Sequence, residues 1–298
     1  MKATLLLLRC GILLASCAAH AASTIDSTNK YAWGGNIGWV NFRDANGGAA
    51  GAVVGEYICS GYVWSGNVGW INLGDGAPTN GIQYSNGTAT DYGINVQDQF
   101  VSGGVPRAKL RGYAYGANIG WINFEPQGNL ELSLSTGRLS GYAWSANCGW
   151  INLGDANFAV QTTSIRPGAD IDSDGIADAF EYTYTSPDSL ALFTATSDRD
   201  GDGESDRDEY FANTNPLDLH SNLQIITSAA SSTAFSLTWT SSPTRRYRIE
   251  STTDPTAPNW TLTLDNILPD GATTSRAGTT SPSQRRFFRI RALPALAP

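Results

Sequence analysis

Histidine is almost absent from this sequence. Of 298 residues only two are histidine, His20 and His220, and the first lies in a leader-like segment. A Ser-His-Asp or Cys-His arrangement needs an imidazole to take the proton of the nucleophile, so catalysis of that kind is excluded. The sequence also contains neither a Gly-rich phosphate loop nor a transition-metal cluster that would indicate another reaction.

Long hydrophobic runs are scarce as well. Residues 1–21 have Lys2 and Arg9, a short apolar run and small residues at the end, which is the pattern of a secretory signal removed from the mature chain. Leu14-Ala15-Ser16-Cys17 also resembles a bacterial lipoprotein cleavage box, in which Cys17 would be lipidated. No later segment has the roughly 18 to 20 apolar residues that span a bilayer. We therefore predict a secreted or cell-surface protein without a transmembrane segment.

Negative charge is concentrated in one segment. Residues 166–221 contain 14 acidic and 3 basic side chains, whereas residues 222–298 contain 4 acidic side chains and 8 arginines. The overall acidity argues against nucleic acid or an anionic membrane as a partner.

The acidic segment contains one motif twice, with an offset of 28 residues. In the pattern D-x-D-x-D-G-x-x-D-x-x-E, acids at positions 1, 3 and 5 reach one hard cation, and position 7 offers its backbone carbonyl. Position 9 acts through water, and the glutamate at position 12 binds bidentately. We therefore predict two Ca²⁺ sites. Their ligands are Asp170, Asp172, Asp174, Ile176, Asp178 and Glu181 in loop 1, and Asp198, Asp200, Asp202, Glu204, Asp206 and Glu209 in loop 2.

Both loops end on Glu-Tyr, at Glu181-Tyr182 and Glu209-Tyr210, and the second continues into Asn215-Pro216-Leu217-Asp218. With these features residues 168–218 resemble bacterial thrombospondin type 3 repeats. The resemblance implies calcium-dependent rigidity between flanking domains rather than signalling. The amphipathic entering helix of a true EF-hand is missing, although the pattern allows short helices over 177–184 and 206–212.

Four copies of a twelve-residue phrase precede the acidic segment. Each has an aromatic pair at i and i+2, a Gly/Asn-rich turn and a second strand with a tryptophan, which predicts a β-hairpin. We expect the turn glycine to have a positive φ and the turn asparagine to cap the turn with its side chain. A propeller-like ring, a solenoid and a sandwich all remain open. The phrases span 31–42, 62–73, 113–124 and 142–153.

Seven of the nine tryptophans lie in these phrases. Exposed, they would form a surface on which sugar rings stack; buried, they would supply a core, each burying roughly 150 to 250 Å². A residue present in every copy is expected to serve the shared architecture, so we predict an aromatic core. The phrase resembles a repeat found in tandem in bacterial exported proteins, and that resemblance implies no activity. The residues are Trp33, Trp39, Trp64, Trp70, Trp121, Trp144 and Trp150, with Tyr115 in the eighth place.

Only Cys59 and Cys148 remain once the leader is removed. An oxidising compartment permits them to pair, and the bond would stabilise the fold by about 4 to 5 kcal/mol in the chain-entropy model. Cys148, however, occupies a slot in which the other copies hold Ile37, Val68 and Ile119. A buried apolar thiol is therefore the alternative, and the sequence leaves both open.

Residues 222–298 alternate between apolar and polar in short runs separated by Pro, Gly, Ser and Thr, which predicts a β-sandwich. The pattern resembles fibronectin type III-like modules of secreted bacterial proteins, with Trp239 and Tyr247 as expected core residues. We predict strands over 223–227, 234–240, 246–251, 260–264 and 286–292.

The sequence thus predicts a mainly β chain with a leader (1–21), an aromatic β-repeat domain (23–165), a calcium connector with little helix (166–221) and a C-terminal β-sandwich (222–298). The predicted role is non-enzymatic, in adhesion, matrix or structure, with calcium and an extracellular polysaccharide or surface protein as partners. The alternatives are polysaccharide binding through exposed Trp and Tyr, and an uncharacterised glycoside hydrolase. Asp75 and Asp155 are the symmetric carboxylate pair for the latter, although turn roles explain them more simply.

Overall fold

The computed structural model describes residues 22–185, 189–256, 258–279 and 285–296. The predicted leader and Cys17 within it lie outside these described residues. Strands make up 45% of the structure and helices 9%, so the predicted mainly β class is confirmed. Within the described part of the chain, no helix is both long and apolar enough to cross a membrane.

The repeat domain forms one antiparallel sheet of 13 strands. Each phrase is the hairpin that the sequence predicts; in the first, Trp33 pairs with Trp39 across the turn. Short 3-10 helices, Ala45–Gly48 and Pro126–Gly128, lie in its connections. The strands are β1 Ile25–Gly34, β2 Gly38–Asn41, β3 Val53–Val54, β4 Ile58–Ser60, β5 Tyr62–Ser65, β6 Gly69–Asn72, β7 Ile94–Ser102, β8 Val105–Gly116, β9 Gly120–Asn123, β10 Glu131–Ser133, β11 Leu139–Ser145, β12 Gly149–Gly154 and β13 Val160–Thr162.

A barrel-like ring of 8 strands is closed within this sheet. The order β1-β2-β5-β6-β8-β9-β11-β12 returns to β1, because Gly34 of the first hairpin pairs with Ile151 of the last. The closed arrangement of the strands agrees with the propeller-like ring, one of the three architectures that the sequence left open. Neighbouring hairpins are hydrogen-bonded edge to edge, however, so the ring is a single sheet rather than a set of blades.

Small and aliphatic side chains fill the ring. Strand β8 shows why, since every second residue from Pro106 to Gly116 is buried and the residues between them face outward. A Cβ added at Gly34 would meet Ile37 Cγ1 at 2.6 Å, so the interior is too tightly packed there for a larger side chain. The inward residues of the four hairpins include Ala32, Val40, Val63, Ile71, Ala114, Ile122, Ala143 and Ile151.

The hairpin turns confirm one prediction and correct another. Gly38, Gly69, Gly120 and Gly149 all have positive φ, between 70° and 78°. The asparagine side chains bond to the preceding copy in the ring rather than to their own turn, because closure places neighbouring turns side by side. Each Nδ2 donates to a backbone carbonyl: Asn36 to Cys148 (3.1 Å), Asn67 to Ile37 (3.0 Å), Asn118 to Val68 (3.0 Å) and Asn147 to Ile119 (2.9 Å).

Removing one of these four asparagine hydrogen bonds is expected to lower the unfolding free energy by about 1 kcal/mol. Asn147→Ala removes the donor to the Ile119 carbonyl, and a hydrogen bond contributes roughly 0.5 to 1.5 kcal/mol. Chemical denaturation followed by tryptophan fluorescence measures the change. Gln127→Ala, at an exposed position, is the control and should stay within about 0.5 kcal/mol of wild type. Equal unfolding free energies for the two variants would contradict a stabilising role for these asparagine hydrogen bonds.

Cys59 and Cys148 are both buried free thiols. Cys148 fills the interior position that Ile37 and Ile119 fill in other copies, with Sγ 3.3 Å from Ser145 Oγ. Cys59 lies on β4, outside the closed ring, where burial raises the pKa of its thiol to about 12. The structure therefore supports the apolar-thiol alternative rather than the disulfide.

The acidic connector is compact. Helix α1 (Asp178–Tyr184) and helix α2 (Asp206–Ala212) match the helices that the pattern allowed, and a 3-10 helix, Leu190–Leu192, lies between them. The rings of Phe180 and Tyr210, one from each helix, have centroids 5.3 Å apart. They form a small buried cluster with Ile176 and Phe193. The two acidic repeats thus share one core.

The strands of the C-terminal segment are β14 Ile225–Ala230, β15 Ala234–Thr240, β16 Arg245–Thr252, β17 Thr261–Ile267, β18 Thr273–Thr279 and β19 Phe287–Pro294. They form two three-stranded sheets, β14-β15-β18 and β17-β16-β19. Trp239 and Tyr247 are fully buried in the core between them, as predicted. Strand β18 was not predicted, because its mostly polar sequence gives no hydrophobic period.

Candidate metal centres and an exposed aromatic surface

Each acidic loop brings its first three aspartates together. Within each triad, one carboxylate oxygen from every aspartate lies within 4.8 Å of the others. Such a spacing allows three oxygens to contact one cation. The triads are Asp170, Asp172 and Asp174 in loop 1, and Asp198, Asp200 and Asp202 in loop 2.

The backbone of each loop folds around the aspartate at position 1. Asp170 accepts the N–H groups of Asp174 at 3.2 Å and Gly175 at 3.1 Å. Asp198 accepts the N–H of Gly203 at 3.1 Å in the same way. The two glycines have φ of 92° and 101°, in the region that favours glycine, so the sharp turn at position 6 is present in both loops.

Glu181 and Glu209, at position 12, are 0% and 1% exposed. Both side-chain oxygens of Glu181 and Oε2 of Glu209 have no hydrogen-bond partner among the described residues. Burial first, and then repulsion by the aspartates of the same loop, raises the pKa of each glutamate to about 8. A buried carboxylate without a counter-charge is costly, and a hard cation with oxygen ligands would satisfy it. The donor set therefore fits Ca²⁺.

The acids at position 9 make a different contact. Asp178 Oδ1 accepts the N–H of Ile171 at 2.9 Å, and Asp206 Oδ1 accepts that of Arg199 at 3.1 Å. Both bonds tie position 2 of a loop to the first residue of the following helix. These two carboxylates thus lie outside the triads and brace the loops. At position 7, the N–H groups of Ile176 and Glu204 donate to the position-5 aspartates Asp174 and Asp202, each at 2.8 Å.

Loop 2 leads directly into a junction of all three segments. Arg245 Nη1, on β16, lies 2.6 Å from Glu56 Oε1 in the repeat domain, and the arginine side chain is only 2% exposed. Arg245 also donates to the carbonyls of Tyr210 and Phe211 in α2, each at 2.8 Å. The Tyr210 hydroxyl donates to Glu56 Oε2 at 3.1 Å. Sequence reasoning missed this junction, because its partners lie far apart along the chain and no motif marks them.

The repeated aromatics lie on the outside of the ring, so the predicted aromatic core is wrong. The physical reason is alternation: each aromatic pair flanks an Ala or Val, and only that small face fits the ring interior. The signal was present in the sequence, since Ala32, Val63, Ala114 and Ala143 hold the same place in the four copies. The exposed fractions are 40% for Trp33, 51% for Trp39, 40% for Trp64, 45% for Trp70, 38% for Tyr115, 44% for Trp121, 40% for Trp144 and 46% for Trp150.

The outer surface repeats one arrangement four times. Each copy presents two aromatic rings, edge-on or tilted, with centroids between 4.8 and 5.0 Å apart. An asparagine lies two residues after the second aromatic side chain and is a strand-pairing partner of the next copy, as Asn41 is of Trp64. Aromatic faces beside amides are suited to sugar rings, which have apolar faces and hydroxyl edges.

No family model, curated protein or solved structure matches this chain. Function is therefore inferred from the acidic loops, the junction and the aromatic surface themselves. The family resemblances of the loops, the repeats and the C-terminal segment stay predictions.

The two carboxylates considered for a glycoside hydrolase each hold a turn. Asp75 Oδ1 accepts the N–H of Ala77 at 2.9 Å, and Asp155 Oδ1 accepts that of Asn157 at 2.7 Å. An aspartate bonded to a backbone N–H two residues on is a common turn device. This geometry supports the turn interpretation of both residues.

Proposed function

We propose that this chain is an extracellular, non-enzymatic calcium-binding protein with a structural, matrix or adhesion role. The observation that carries the proposal is the pair of buried glutamates beside the two aspartate triads: among the described residues, neither carboxylate oxygen of Glu181 and not Oε2 of Glu209 has a hydrogen-bond partner. The leader-like segment supports export, and oxygen-ligand loops of extracellular modules bind Ca²⁺ with dissociation constants of about 10⁻⁴ to 10⁻³ M.

Bound calcium would neutralise the loops and brace the connection between the two β domains. Each loop continues into a helix, and the two helices share the core around Phe180 and Tyr210. Helix α2 in turn bonds to Arg245 of the sandwich and Glu56 of the repeat domain. Filled loops therefore fix the helices that hold this junction, and the connection is stiffer with calcium than without it.

Calorimetric titration of the full chain with CaCl₂ is expected to give about two Ca²⁺ per chain. Glu181→Gln and Glu209→Gln should each remove or greatly weaken one site, because each takes a buried charge from one loop. Asp208→Asn is the matched control: this exposed acid lies beside Glu209 and should leave both sites intact. No saturable binding by wild type, or equal loss in all three variants, would overturn the proposal.

Polysaccharide recognition is the second candidate function. The observation that favours it is the exposure of all seven repeat tryptophans, between 40% and 51%. Exposed aromatic rings at regular positions around the ring of strands would let a sugar chain contact more than one copy. In this role the calcium-braced connector would fix the sandwich relative to the sugar-binding face.

A further inference from the structure

An additional aromatic ring forms a side wall beside two copies of the aromatic surface: Tyr92 lies edge-on to Trp121 in the third copy, with centroids 4.9 Å apart, and Phe158 lies beside the first copy. The ring of Phe158, in the turn after β12, lies edge-on to Trp39 with centroids 5.3 Å apart and planes at 89°. Together with Tyr31, these rings line an open cleft of about 470 Å³. That volume falls in the range of small-ligand sites. Trp39 is also the most exposed of the repeat tryptophans, at 51%.

Closure of the ring builds this cleft. Phe158 follows the last copy of the phrase, whereas Tyr31 and Trp39 belong to the first, and β12 pairs with β1 at the seam between them. The turn is held by Asp155, which accepts the backbone N–H two residues on, and by Arg138, whose Nη2 donates to the Phe158 carbonyl at 3.1 Å. A surface fixed in advance loses little conformational entropy when a ligand binds.

The polar groups of the cleft are uncharged. Thr28, Asn29 and Asn157 contribute a hydroxyl and two amides, and none of the described residues that line the cleft carries a charge. Asn29 Nδ2 donates to Gln161 Oε1 at 3.2 Å, which fixes the position of that amide. Exposed aromatic rings flanked by uncharged hydrogen-bonding groups match a pyranose, whose faces are apolar and whose edge carries hydroxyls.

We propose that this cleft is a subsite for a pyranose ring of a neutral polysaccharide. Trp39 stacks against the sugar face, Phe158 forms the side wall, and Asn29 and Asn157 bind hydroxyl groups. The inference rests on the second candidate function and locates it at the seam of the ring. The second copy of the phrase has the same aromatic pair, with centroids 5.0 Å apart, and Trp70 there corresponds to Trp39.

The test titrates the calcium-loaded full chain with a soluble β-glucan, α-glucan, mannan and xylan, and with a polyuronate as charged comparator. Affinity electrophoresis and tryptophan fluorescence measure binding. Trp39→Ala and Phe158→Ala are each expected to weaken binding of a neutral polysaccharide about tenfold, on the scale of one stacking contact. Trp70→Ala is the comparator at the matching position of the second copy: it removes one exposed ring of the wider surface but none of the cleft, so it should weaken binding clearly less, by about twofold. Circular dichroism melts establish that the three variants fold.

The outcomes separate the subsite from the function on which it rests. Selective weakening by Trp39→Ala and Phe158→Ala supports the subsite. Equal weakening by Trp70→Ala overturns the subsite but keeps polysaccharide recognition by the whole surface. Absence of binding by wild type overturns both, and a preference for the polyuronate overturns the neutral ligand. The calcium titration is independent of all four outcomes.

Discussion

Chelating calcium is expected to lower the unfolding free energy of the full chain by about 5 kcal/mol, relative to calcium at a hundredfold excess over its dissociation constant. Each independent site contributes about 2.7 kcal/mol under those conditions. Without the cation, the 14 acids of residues 166–221 face only 3 bases, and the small core around Phe180 and Tyr210 buries little apolar surface to oppose their repulsion. The connector should then become a flexible tether.

Thermal melts in CaCl₂ and in EGTA measure this effect, and the transition that includes the connector should move by about 10 °C. Small-angle scattering of the same samples should show a larger maximum dimension in EGTA. The double variant Glu181→Gln/Glu209→Gln should have the same melting temperature in CaCl₂ as wild type has in EGTA. Asp208→Asn should keep the calcium-dependent rise in melting temperature. The same melting temperature and dimensions in both buffers would contradict the bracing role.

The loops show how far spacing alone predicts a site. Asp170 and Asp198 start identical patterns, and the structure brings both aspartate triads together at the predicted positions. The spacing did not predict that Asp178 and Asp206 bond to the backbone N–H of position 2. Whether the position-9 aspartate accepts a backbone hydrogen bond depends on where the following helix begins, and the motif does not encode that position.

The aromatic surface differs from the core that the sequence predicts. Repetition in every copy predicts burial of the aromatics, but the residue between the paired aromatics, Ala32 in the first copy, is what fits the closed ring. Closure of the strand ring was not predictable from the local sequence pattern. It depends on the pairing of Gly34 with Ile151 and on side-chain hydrogen bonds such as that from Asn36 to the Cys148 carbonyl. Those contacts join residues more than 100 positions apart.

Replacing Arg245 is expected to lower the unfolding free energy by about 3 to 5 kcal/mol, the usual cost of breaking a buried ion pair. Arg245→Met leaves Glu56 without its counter-charge and removes the donors to the carbonyls of Tyr210 and Phe211. Methionine replaces the aliphatic part of the arginine side chain, so most of the expected loss comes from the missing guanidinium. Because these bonds join all three segments, the variant should also separate the domains in small-angle scattering.

Arg276→Met is the matched control for this prediction. Its guanidinium also lies 2.6 Å from a carboxylate, that of Asp270, but both side chains are substantially exposed, and such pairs contribute about 0 to 1 kcal/mol. Adding Glu56→Gln to Arg245→Met should recover part of the lost stability, because the uncompensated charge is then gone. If Arg245→Met cost no more than Arg276→Met, the junction would not hold the segments together. Calcium would then have to act through the loops and the shared helix core alone.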